Sequence, residues 1–186
     1  EGSTNLKDTT VDGKLDVTGN ATINGSSTVK GDLGVEGSTN LKDTTVDGKL
    51  NVTGNATING NSTVKGDLGV EGSTNLKDTT VDGKLDVTGN ATINGSSTVK
   101  GDSITEGNST TNGNSTVKGD LGVEGSTNLK DTTVDGKLDV TGNATINGNS
   151  TVKGDLGVEG STNLKDTTVD GKLDVTGNAT INGSST

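Results

Sequence analysis

The sequence predicts an all-β fold, a single-chain triangular β-solenoid, and three observations predict it. Aliphatic residues recur every six positions, glycine follows two residues after each, and a 35-residue segment repeats along the 186 residues. Val11, Val17, Ile23, Val29, Val35 and Leu41 stand six apart, with Gly13, Gly19, Gly25, Gly31 and Gly37 behind them. Only the step from Leu41 to Val46 is five, and Asp43 stands there in place of glycine. Low hydrophobicity (24%) with a net charge of -10 would otherwise suggest disorder. The periodicity overturns that reading, because hexapeptide repeats are the mark of a β-solenoid.

Each hexad reads as a short strand with a corner. In Leu15-Asp16-Val17 the outer two side chains point one way and Asp16 the other, by strand alternation. Gly19, Gly25, Gly31 and Gly37 are expected to turn the corners. Asp43 serves where one corner residue is missing, since Asp tolerates left-handed backbone better than most residues. Three sides close a coil of 18 residues, or 17 where the short hexad falls. Two coils make the 35-residue repeat.

Stacking such coils makes residues 17 or 18 apart neighbours at about 4.8 Å. Leu15, Leu33, Leu50 and Leu68 then form one inward column, and Val17, Val35, Val52 and Val70 another. Ala21, Thr39, Ala56 and Thr74 form a column beside Ile23, Leu41, Ile58 and Leu76. Ser27, Thr44, Ser62 and Thr79 flank Val29, Val46, Val64 and Val81. On the outside, Lys30, Asp47, Lys65 and Asp82 form one column and Asp32, Lys49, Asp67 and Lys84 the next. This checkerboard of opposite charges on rung neighbours is read chiefly as a register device, since a slipped coil would set like charges together. The plainer reading is a solvated polar face.

The whole chain, 1–186, reads as one continuous array of about ten coils. Its repeats fall at 1–35, 36–70, 71–105, 124–158 and 159–186, with an extra coil at about 99–116. That insertion is one whole coil, because Val99 and Val117 each open a Val-Lys-Gly-Asp run 18 residues apart. Its inward positions are all hydroxyls (Ser103, Thr105, Ser109, Thr111, Ser115), Ile104 falls outside, and Lys100 and Asp102 stack on Lys118 and Asp120. A weakened or hydrated rung is expected there. No capping helix or Pro covers either end, so the chain is read as part of a longer array or as a unit of a head-to-tail filament.

Composition narrows the function classes. The chain has 31 Gly and no aromatic, Pro, Cys, Met or His residue. Disulfides, thiolate or imidazole metal sites and an imidazole base are therefore excluded, and no cofactor is expected. Nucleic acid is an unfavoured partner for an acidic chain with no rings to stack on bases. No apolar run approaches a membrane span. A catalytic site is normally unique, whereas each Ser, Asp, Glu and Lys here is a repeated copy, so no enzyme is expected.

The run Gly-Lys-Leu-Asp-Val-Thr-Gly-Asn-Ala-Thr-Ile-Asn-Gly at 13–25 resembles the Gly/Thr/Asn-rich shaft repeats of bacteriophage and large-virus tail or surface fibres, over essentially the whole chain. The resemblance implies a rigid spacer at an extracellular or virion surface, often a trimer. Gly-Asp-Leu-Gly-Val-Glu-Gly at 31–37 is similar to bactofilins, β-helices that polymerise end to end. An intertwined trimeric β-helix is the alternative architecture. It would mix Leu33 with Ser27 and Thr39, although its column Lys30, Glu36, Lys42, Asp47 also alternates in charge. The expected partner is the chain itself, head to tail or side by side.

The rival functions are an ice- or glycan-binding module of a surface adhesin. Ice binding is disfavoured because charges are read as interrupting each outward rank, and sugar binding because aromatic platforms are missing. Calcium binding is disfavoured because Asp12, Asp16, Asp32 and Asp47 are separated by Lys or Gly. Sequons such as Asn20-Ala-Thr and Asn51-Val-Thr occur as expected by chance in such a composition.

Overall fold

A computed structural model of the chain describes residues Gly2–Thr186; Glu1, where the first repeat is expected to start, lies outside the described residues. The described residues form β-strands and turns only, wound into a parallel β-solenoid of about ten turns. Each coil contributes three short strand segments. The first face is a ten-stranded sheet of three-residue strands, from Leu15–Val17 through Ser103–Thr105 to Leu173–Val175, stacked in chain order. The second face starts at Thr4–Leu6 and the third at Thr9–Val11.

Register follows the 17- and 18-residue steps. Leu15 pairs with Leu33, Leu33 with Leu50 and Leu50 with Leu68. On the second face Ala21 pairs with Thr39 and Thr39 with Ala56; on the third Ser27 pairs with Thr44 and Thr44 with Ser62. The extra coil keeps the register, with Val99 opposite Val117. Each coil therefore lies on its own chain's preceding coil, which is the single-chain arrangement and not the intertwined one.

The core is the tube interior. Val29, Leu33, Val46, Leu50, Val64 and Leu68 are fully buried, and the small Ala and Thr residues of the second face fill the width beside them. Burying such a side chain contributes about 1.5–3 kcal/mol, while ordering each residue's backbone costs about 1–2 kcal/mol. With so few aliphatics per coil, an isolated coil cannot hold its shape. The inter-coil ladder supplies the rest, and it continues through the corners, where Gly31 donates its amide to the Gly13 carbonyl and Gly48 to that of Gly31.

The corners differ from expectation in two respects. Among the described residues no non-glycine has a positive φ, and of the glycines only Gly2 does, so the left-handed rationale for Asp43, Gly19, Gly25, Gly31 and Gly37 is wrong. The glycines are there because the coils sit too close for a side chain. A Cβ at Gly37 would meet the Gly19 carbonyl carbon at 2.6 Å, and one at Gly31 would meet that of Gly13 at 2.8 Å. Nor do Gly25 and Asp43 interrupt a strand. Ala21–Val29 and Thr39–Val46 run straight through their corner, and the one-residue deficit is absorbed by a register shift between Ile23 and Ser26. The second and third faces consequently join into a single fifteen-stranded sheet.

At the extra coil, Ser103, Thr105 and Thr111 are buried where the neighbouring coils carry Leu, Val and Ile or Leu, while Ser109 and Ser115 keep to columns of Ala or Thr and of Ser or Thr, and Ile104 is 41% exposed. Hydroxyls fill less space than Leu or Ile, and a cavity of about 10 Å³ opens among Ser103, Thr105, Ser109, Thr111 and Ser115. Six aliphatic residues, Leu85 and Leu121 among them, line it together with the hydroxyls, and its size is about that of one water.

Candidate functional site

Two groups of side chains repeat along the outside of the rod: the corners, which hold the coils together, and the outward ranks of the faces, which meet solvent. The charge ladder lies at the corner between the third and first faces, since Lys30-Gly31-Asp32 joins the strand ending at Val29 to the one starting at Leu33. It is split into pairs rather than continuous. Lys30 reaches Asp12 (2.6 Å), Lys65 reaches Asp47 (2.8 Å) and Lys100 reaches Asp82 (2.8 Å), each on the preceding coil. In the adjacent rank Lys49 reaches forward to Asp67 (3.1 Å) and Lys84 to Asp102 (3.8 Å). Asp32 instead accepts the backbone amide of Lys49 at 2.8 Å, and Asp67 that of Lys84 at 3.0 Å.

Asp67 thus has both oxygens engaged. The amide of Lys84 foremost, and then the ammonium of Lys49, hold its carboxyl below the usual carboxylate range. Lys65 and Lys153 are raised above the usual lysine value by hydrogen bonds to Asp47 and Asp135 and by the charge of those partners. In the extra coil Asp102 accepts the amide of Asp120 at 3.0 Å, a bond that offsets the stacking of two carboxylates.

Sequence reasoning missed the polar caps at the other two corners. Asn20 accepts the amide of Ser38 (2.8 Å), Ser38 that of Asn55 (3.1 Å) and Asn55 that of Ser73 (2.8 Å), so side chain and backbone alternate up the corner. Asp8 and Asp43 do the same for Ser26 and Asn61 (2.9 Å each). The missed signal is the constant placing of Asn, Asp or Ser one residue from the corner, which is turn chemistry applied between coils. The sequon residue Asn20 is engaged in a cap, whereas Asn51 stands outward and exposed on the first face.

The outward ranks differ sharply between faces. On the third face Thr28, Thr45, Thr63, Thr80, Thr98 and Thr116 pair in succession without interruption. This corrects the expectation that charges break every rank: the charges occupy the neighbouring Lys30 rank. On the first face the outward residue alternates between a side chain and none, as Asp16, Gly34, Asn51, Gly69 and Asp86.

Counting charge by corner gives the clearest asymmetry. The corner of Lys30 and Asp32 carries ten Lys and ten Asp, and the corner of Lys42 and Asp43 carries five Lys and five Asp. These use every lysine and leave ten acids, which equal the net charge of -10. Glu1 is one of them and lies outside the described residues. The others are Asp16, Asp86, Asp139 and Asp174 on the first face, and Glu36, Glu71, Glu106, Glu124 and Glu159 along its far edge. Only Asp16 among these nine has an ion-pair partner, Lys14 at 3.1 Å. Two edges of the rod are therefore neutral and one face is acidic.

No family model matches the chain, and neither the curated proteins nor the solved structures contain a match to it.

Proposed function

We propose that the chain is a structural rod, serving as the shaft of a fibre or as the protomer of a filament, with no catalytic step of its own. The observation that supports this best is the first-face column from Leu15 to Leu173, kept in register over all ten strands with only Ser103 replacing leucine. A stack of parallel strands bends only by stretching ladder bonds on one side, so this architecture is stiff along its axis. Ten coils at about 4.8 Å give a rod of about 50 Å. Each chemical group recurs at fixed intervals along it, which suits a spacer or lattice element better than a single reaction centre. The expected setting is an extracellular or virion surface.

Negative-stain electron microscopy tests the reading. Straight rods of about 50 Å, or fibres and filaments built from them, are the expected result. Flexible or compact particles would overturn it. The unbroken threonine rank favours a second reading, ice binding by the third face, against which the charged Lys30 rank alongside it counts. A thermal-hysteresis assay separates the two, since a bare rod gives none.

A further inference from the structure

The glycines of the first face are of a different kind from those at the corners. A corner glycine is required by the backbone of the coil beneath it. A Cβ added at Gly122 would meet nothing within 4 Å; at Gly69 it would meet only the Asn51 side-chain oxygen at 3.2 Å, and at Gly34 only that of Asp16 at 2.8 Å. Those oxygens are the movable tips of exposed side chains, so the stacking does not demand glycine here. Glycine in a strand weakens it by roughly 0.5–1 kcal/mol, and where no bend needs it, it marks close approach by a ligand or another backbone.

The notches these glycines leave are open cavities. One of about 480 Å³ lies over Gly157 between Asp139, Glu159 and Asp174, and one of about 450 Å³ over Gly34 beside Asp16, Glu36 and Asn51. A third, about 300 Å³, lies over Gly69 beside Asn51, Glu71 and Asp86. We propose that the first face is a docking groove for an extended, lysine- or arginine-rich polypeptide segment whose basic side chains enter the glycine notches.

Three observations select this occupant. The face carries all the uncompensated charge of the described residues, so complementarity demands a cation and a second copy of the same face is repelled. Among the described residues no three carboxylates converge closely enough to hold a metal ion, so a chain of separated charges fits better than a bare cation. Glu36, Glu71 and Glu106 recur every two coils, about 9.6 Å apart, and a polyproline-II segment presents every third side chain at about 9.3 Å. Gly34 and Gly69 lie on the coils of Glu36 and Glu71, and the exposed Ile104 takes the place of a glycine beside Glu106, so a bound segment of that form sets basic residues at the first two notches and crosses Ile104 before Gly122.

The test uses the full chain and a fluorescent peptide of repeated Lys-Pro-Pro triplets, followed by anisotropy at physiological ionic strength. Glu71→Gln, Asp86→Asn and Glu106→Gln together are expected to weaken binding about tenfold or more. Asp47→Asn, Asp82→Asn and Asp135→Asn together remove the same charge from the neutral corner and are expected to change binding by less than about threefold. Equal losses in the two variants would reduce the effect to net charge and overturn the proposal. Gly69→Thr with Gly157→Thr fills two notches without touching a charge; weaker peptide binding with an unchanged or raised melting temperature supports the groove, and undiminished binding overturns it. Calcium bound at these carboxylates with no peptide binding would also overturn it.

Discussion

At the scale of single residues, three kinds of position answer differently to substitution. The hydroxyls of Thr39 and Thr74 are buried without a hydrogen-bond partner, because both stand in a column where Ala21, Ala56 and Ala91 supply none. Thr44 escapes this by accepting from Ser27 at 3.3 Å. Thr74→Val keeps the shape and removes the desolvated hydroxyl, so it should stabilise the fold by about 1 kcal/mol in denaturant titrations. Gly37→Ala forces a methyl against the Gly19 peptide and should cost about 1–3 kcal/mol, whereas Gly122→Ala enters open space and should not destabilise. If the two glycine variants lose equal stability, the distinction between corner and face glycines fails. Titration gives a further prediction. The lowered value of Asp67 contributes stability above the ordinary carboxylate value of about 3.9, lost as pH falls through the folded value. The raised values of Lys65 and Lys153 contribute below about 10.4 and are lost as pH rises through theirs. These groups should leave melting temperature flat between about pH 5 and 9, and Asp67→Asn should soften the decline on the acid side alone.

At the scale of the coil, the inserted turn is the weakest element. It exchanges three large buried aliphatics for hydroxyls at Ser103, Thr105 and Thr111, opens a cavity, and sets Lys100 on Lys118 and Asp102 on Asp120. Amides over 103–116 should exchange faster than those of the coils on either side; equal or slower exchange would show that the hydroxyl ring costs nothing. Excising Ser103–Asp120 removes one whole coil. Leu121 then lands on Leu85, and the ladders read Asp82, Lys100, Asp135 and Lys84, Asp102, Lys137, alternating again. Two weak interfaces are replaced by one strong one, so the shorter chain should melt a few degrees higher, at about 2–4 °C per kcal/mol gained. This coil and its register are legible in the sequence, because an insertion of 18 residues preserves every inward position. The caps at Asn20, Ser38 and Asn55 are not, since Asn and Ser serve equally for turns and for solubility until the next coil's amide is placed above them. Gly34 likewise cannot be told from Gly31 along the chain. Only stacking shows that one is crowded by backbone and the other faces open space.

For the whole molecule, stability is close to a sum over neighbouring coils, because each touches only the ones above and below. A single weak interface in such a stack does more than lower the total: it divides the cooperative unit. Five first-face strands precede Ser103–Thr105 and four follow it. The longer block contains more favourable interfaces for the same two ends, so the block after the inserted coil should lose protection first. Hydrogen exchange across a denaturant series is expected to show residues 121–175 opening at lower denaturant than residues 15–87. The chain lacking Ser103–Asp120 should open both regions together. A single concerted opening in the intact chain would mean that the backbone ladder alone, running unbroken through Ser103–Leu121 and Ser109–Thr127, carries enough coupling to offset the missing aliphatic contacts. In that event the stiffness of the rod resides in main-chain pairing, and the thin apolar core chiefly selects the register.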